Sequence, residues 1–91
     1  MNLHCTVKAP QNVIYTEMDN EIVLMHVSNG KYYSLNSVGS LVWKLLASPI
    51  KIEAICDVVE QDFEVDKEVC QQDVIFLIEE LYQIGLVEVD E

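Results

Sequence analysis

Arginine is absent from this 91-residue chain, and its only cations are five lysines against sixteen carboxylates, a formal net charge of −11. Proteins that hold nucleic acid draw most of their affinity from Lys and Arg on phosphates, so this balance argues against a DNA- or RNA-binding domain. The charge is also uneven. Residues 1–52 carry Lys8, Lys31, Lys44 and Lys51 against Glu17, Asp19 and Glu21, a net +1. Residues 53–91 carry Lys67 against thirteen carboxylates, a net −12. Such an acidic half repels phosphate and anionic lipid and suits basic partners. Cysteine is scarce too. Cys5, Cys56 and Cys70 are odd in number and widely spaced, which is no disulfide framework. Cys56 and Cys70 fall on apolar helical faces as small hydrophobes; Cys5, in a polar segment, is expected to be accessible.

Further absences narrow the chemistry. The only histidines are His4 and His26, and neither Cys-x-x-Cys nor His-x₃-His spacing occurs, so no metal is expected. There is no glycine-rich phosphate loop. Cys56, Cys70 and His26 lie in hydrophobic patterns rather than a polar cleft, and no spacing singles out one carboxylate pair. The expectation is a protein that is not an enzyme and uses no cofactor. No apolar run approaches the ~20 residues that span a bilayer. Met1-Asn2-Leu3-His4-Cys5 lacks the basic and apolar regions of a signal peptide, which implies a cytoplasmic location without membrane association. With 51% hydrophobic residues and only 3 Gly and 2 Pro, the chain should pack as one small domain.

Residues 1–12 show no period and read as a flexible lead-in to a domain over 13–91. Val13 to Met18 alternates, Asp19-Asn20 is a turn signal, and Glu21 to Val27 alternates again, with Ile22, Leu24 and His26 opposite Val23, Met25 and Val27. Neither face of this second strand is strongly polar, as expected of a central strand covered on both sides. Asn29-Gly30 predicts a two-residue type I′ hairpin into a third strand, Lys31 to Leu35, which is left at an edge. The period then changes from two to 3.6 within Tyr32–Trp43, with Asn36 or Ser37 as helix cap. A first helix, Ser37 to Ala47, carries a stripe of Val38, Leu41, Val42, Leu45 and Leu46, with Trp43 beside it sealing helix to sheet. Pro49 follows its end. A second helix, about Lys51 to Phe63, buries Ile52, Ile55, Cys56, Val59 and Phe63. Asp66 caps a third, whose core face is Cys70, Val74, Leu77, Leu81 and Ile84 and whose C′ residue is Gly85. Leu86 to Val89 is placed as a short returning strand. The fold class is α+β: a three-stranded antiparallel sheet followed by three helices, in a winged helix-turn-helix-like order.

That order invites a nucleic-acid reading, but the recognition element would be the third helix, whose Asp66, Glu68, Asp73, Glu79 and Glu80 face Lys67 alone. The edge strand offers another function. Its unpaired amides and carbonyls, with no proline and one charge at Lys31, can template an extended peptide; equally, the N-terminal segment or a second copy can cover it.

Tyr33-Ser34-Leu35-Asn36, then Gly39 and Trp43-Lys44-Leu45-Leu46, resembles the pattern of PqqD-like proteins. The match continues through Ile55, Phe63-Glu64-Val65-Asp66, Asp73-Val74, Phe76-Leu77, Leu81 and Gly85-Leu86-Val87, so it spans about Val13 to Val89. The resemblance implies a peptide recognition element in the biosynthesis of ribosomally made, modified peptides. Such a domain binds the leader of a precursor peptide as a further strand, in a groove against the third helix, and presents it to modifying enzymes. Carried over, the backbone of Lys31, Tyr32, Tyr33, Ser34 and Leu35 would pair with the leader. Tyr32, Tyr33, Val69, Asp73 and Phe76 would line the groove. Pyrroloquinoline quinone systems usually show Asp-Gly after the first helix, where this chain has Ala47-Ser48-Pro49. The departure resembles instead the discrete leader-binding proteins of lasso peptide clusters, whose partners would be a leader protease and a cyclase. The other branch implied is a peptide chaperone for a radical SAM enzyme.

Overall fold

Alternating apolar residues and three helical segments, the first and third capped by Asn36 and Asp66, organise the chain as expected, and a second small sheet closes it. The computed structural model describes residues 1–90, so Glu91, the last residue of the domain expected over 13–91, lies outside them. In chain order the elements are strand β1 (Thr6–Lys8), β2 (Val13–Met18), β3 (Glu21–His26) and β4 (Tyr32–Leu35), helix α1 (Ser37–Leu45), strand β5 (Ile50–Lys51), helices α2 (Ile52–Phe63) and α3 (Lys67–Gln83), and strand β6 (Glu88–Asp90). The antiparallel main sheet has the order β2-β3-β4, so β4 is an edge.

The first correction concerns the N-terminal segment. Thr6–Lys8 is the central strand of a sheet ordered β5-β1-β6, with Val7 opposite Ile50 and Val89. Val7 and Cys5 are buried, whereas Cys5 was expected to be accessible. The backbone of Leu3 and Cys5 also accepts the amides of Glu53 and Ile52, satisfying two N–H groups at the start of α2. Three residues are too few for a period, and both partner strands are distant in sequence. No local signal could reveal the pairing.

The turns exchange roles. Asp19 and Asn20 both have positive φ and join paired residues Met18 and Glu21, which is the type I′ signature. Asn29-Gly30 instead ends a longer loop in which Gly30 alone has positive φ. Gly30 N–H donates to His26 O, while the Asn29 side chain accepts from Lys31 N–H. An Asn side chain that closes its own turn makes the second left-handed residue unnecessary.

The core joins the inner face of the main sheet (Ile22, Leu24, Leu35) to Val42, Trp43 and Leu46 of the α1 region and to Ile55, Val59, Val74, Ile78 and Leu81 of α2 and α3. On α3, Ile78 is buried, Leu77 is half-buried and Ile84 is exposed; Phe63 at the end of α2 is also exposed. Ile84 is the C-cap of α3 and Phe63 precedes a left-handed Glu64, so both stand where the helical period lapses. Gly85 closes α3 with the two bonds of a Schellman motif, Leu86 N–H to Leu81 O and Gly85 N–H to Tyr82 O.

Candidate functional site

Two braces hold the β4 edge. At one end Asn36 caps α1, its Oδ1 accepting the Gly39 amide at 2.9 Å. One turn into the helix, the buried Ser40 hydroxyl accepts from Ile22 N–H at 2.9 Å and donates to Leu35 O at 3.2 Å. It thereby ties the start of β3, the end of β4 and α1 at one atom. Gly39 permits that approach, because a Cβ there would stand 3.3 Å from the Leu35 Cβ. At the other end His26, buried, accepts the Ser28 amide on Nδ1, and its Nε2 lies 3.1 Å from where a Gly85 Cβ would sit. The C-terminal end of α3 therefore abuts the sheet where β4 begins.

Between these braces the register decides which groups are free. His26 N–H donates to Lys31 O, and antiparallel pairs alternate between bonded and non-bonded. Tyr33 and Leu35 therefore direct their N–H and C=O groups at β3, while Tyr32 and Ser34 direct theirs outward. Side chains alternate across the faces instead. Tyr33 and Leu35 share the inner, helix-covered face with Leu24 and Ile22, Leu35 buried and Tyr33 half-buried. Tyr32, 71% exposed, stands on the outer face with Met25 and Ile14. Its ring is thus turned away from the helix layer. Lys31, exposed, precedes the strand, and Ser34 is exposed on the outer face.

On α3, Val69, Asp73 and Phe76 are exposed along one side of the helix, Val69 at 50% and Phe76 at 63%. Glu80, which the sequence places only among the carboxylates that oppose nucleic acid, continues that line one helical step further. Ser40 was missed as well, since a serine in a helix carries no signal until the strand ends beside it are known.

Two thiols of the helical interior, Cys56 and Cys70, are made harder to ionise by their surroundings. Desolvation, reinforced by Cys70 and nearby carboxylates, pushes the Cys56 thiol up from 9.0 to about 11, and burial likewise raises that of Cys70. Cys70 Sγ–H donates to the Cys56 carbonyl at 3.5 Å. Among the described residues no group of three or more His, Cys, Asp or Glu assembles to hold a metal. Nor, among the described residues, is any helix long and apolar enough to cross a membrane.

The profile of the family described as "Coenzyme PQQ synthesis protein D (PqqD)" matches residues 21–87. The chain belongs to the PqqD family. This PqqD-family chain is similar to TbiB1, solved in complex with the TbiA(beta) leader peptide: 31% identity, 89% of this chain and 94% of that one covered, TM-score 0.83. A lasso peptide synthetase B1 complexed with the leader peptide shares the fold at 18% identity and TM-score 0.79, covering 90% of this chain and 96% of that one. So does the PqqD truncation of Methylobacterium extorquens PqqCD, a stand-alone RiPP recognition element, at 19% identity and TM-score 0.74, covering 91% and 88%. No curated protein matches the chain in sequence. Both the family and the three-strand, three-helix fold agree with the sequence reading.

Proposed function

We propose that this chain is a recognition element that captures the leader of a ribosomally made precursor peptide and presents it to processing enzymes, without chemistry of its own. One observation carries the reading. An edge strand with outward Tyr32 and Ser34 backbone groups lies open in a fold that, in a 31% identical relative, was solved with a leader peptide. The leader adds antiparallel or parallel beside β4 as a fourth strand, bonding Tyr32 and Ser34. Leader side chains on the inner face then meet the helix layer near Tyr33, with Val69, Asp73 and Phe76 of α3 as the facing wall. Our reading takes the lasso branch, in the cytoplasm, with a leader protease and a cyclase as partners; the likeness to a lasso peptide synthetase B1 complexed with the leader peptide is what favours that branch. A precursor reading frame beside genes for those two enzymes would establish the branch; a neighbouring radical SAM gene would overturn it.

The register supplies a sharp test of strand addition. Ser34→Pro deletes an outward N–H and leaves the β3 ladder intact, whereas Tyr33→Pro deletes a ladder amide. With the leader of the neighbouring precursor as probe, Ser34→Pro should keep the thermal midpoint within a few degrees yet lose at least tenfold in affinity. A folded Ser34→Pro variant that binds as the parent does would refute strand addition at β4.

A further inference from the structure

The exposed side of α3 is neither a solvated charged face nor a core face. At 3.6 residues per turn, Val69, Asp73, Phe76 and Glu80 fall in one sector about 60° wide, turned away from the buried Cys70, Val74, Ile78 and Leu81. Along that sector apolar and acidic side chains alternate. The two hydrophobes are half or more exposed, and exposed apolar side chains in a row, unlike scattered ones, mark a contact surface. The two carboxylates are unpaired: the three ion pairs among the described residues join the N-terminus to Glu79, Lys8 to Glu88 and Lys44 to Glu17. The one cation of α3, Lys67, lies in its first turn, off this sector.

The spacing matches an extended chain. Val69 to Asp73, and Phe76 to Glu80, are each about 6 Å apart along the helix axis at 1.5 Å per residue. Same-face side chains of a strand repeat every ~6.7 Å. We propose that the segment this face takes is an extended peptide that alternates apolar and basic side chains toward α3, an apolar residue against Val69 or Phe76 and a lysine or arginine two positions along against Asp73 or Glu80. The inference rests on reading the chain as a leader-recognition element and names the side-chain chemistry it selects. A second copy of the chain fits poorly, because its residues 53–91, at net −12, would meet the same charge.

A displayed library of random 14-residue peptides, selected on the full chain, supplies the probes. Selected sequences should be enriched in Lys or Arg two positions from an apolar residue. A synthetic peptide from that pool should bind about five- to tenfold more weakly to an Asp73→Asn/Glu80→Gln variant, the effect of two exposed ion pairs. It should weaken similarly as salt rises from 50 to 500 mM. A Glu53→Gln/Asp57→Asn variant removes the same charge from α2 and should bind within twofold of the parent. Equal losses in both variants would overturn the proposal, showing attraction to net charge alone. Enrichment without basic residues, or a stripe variant that alters only self-association in sedimentation, would also overturn it. Amide shifts at Tyr32 and Ser34 separate the two readings: peptides that shift them yet ignore Asp73 and Glu80 refute this inference and leave leader capture standing. Peptides that bind without shifting them count against leader capture at β4.

Discussion

Replacing Ser40 by Ala removes one oxygen and disconnects three elements. The hydroxyl satisfies two buried backbone groups, Ile22 N–H and Leu35 C=O, at 2.9 and 3.2 Å. Leaving a buried polar group unpaired costs about 1–3 kcal/mol, so losing both partners outright would cost about 2–6 kcal/mol. Two effects reduce that range. Ile22 and Leu35 are register partners of the bonded type, so a small strand shift can join them directly and recover one bond. Alanine also has the better helix propensity, worth up to about 0.5 kcal/mol. The net expectation is a loss of about 2 kcal/mol, or roughly 8–16 °C in melting temperature for a domain of this size. Trp43 is the only tryptophan and is 4% exposed, so its fluorescence reports urea unfolding directly. The variant should also lose amide-exchange protection first at Ile22 and along β4, weakening the edge to which a peptide would bind. A Ser40→Ala protein within about 0.5 kcal/mol of the parent would show that the hydroxyl does not brace the strands.

Gly30 and Gly85 share a left-handed φ but not their surroundings. Gly30→Ala should cost about 1 kcal/mol, the backbone penalty alone, and Gly85→Ala clearly more, since its Cβ meets His26 Nε2 at 3.1 Å; urea titration of both gives the order. Val7→Ala, in the centre of the small sheet, should cost about 2–3 kcal/mol, and a loss under 0.5 kcal/mol would show that residues 6–8 do not hold the fold. The thiols predict a pH effect of definite sign. Cys56 holds its proton in the folded state up to about pH 11, while in the unfolded chain it ionises near 9, so its contribution is constant below about pH 8 and is lost as pH rises from 9 to 11. Alkylation by iodoacetamide at pH 8 should correspondingly be slow in the native protein and fast in urea, and rapid native labelling of Cys56 or Cys70 would contradict their burial.

Much of this protein is written locally. Period two over Val13–Met18 and Glu21–His26, period 3.6 beyond Ser37, and caps at Asn36, Asp66 and Gly85 depend only on near neighbours, and each matches its element in the structure. The near-neutral first half and acidic second half are likewise properties of the chain alone, as is the PqqD-like pattern that the family match supports. Tertiary structure decided whatever depends on a distant partner. Thr6–Lys8 becomes a strand only because Ile50–Lys51 and Glu88–Asp90 arrive on either side of it. Asn29-Gly30 yielded the tight turn to Asp19-Asn20 because an Asn29 side-chain bond closed a longer loop. The candidate edge divides the same way: that Lys31–Leu35 lies at an edge follows from strand order, but which of its groups face outward follows from the pairing of His26 with Lys31. Hydrogen bonds between strands fix that parity, and no residue of β4 encodes it by itself.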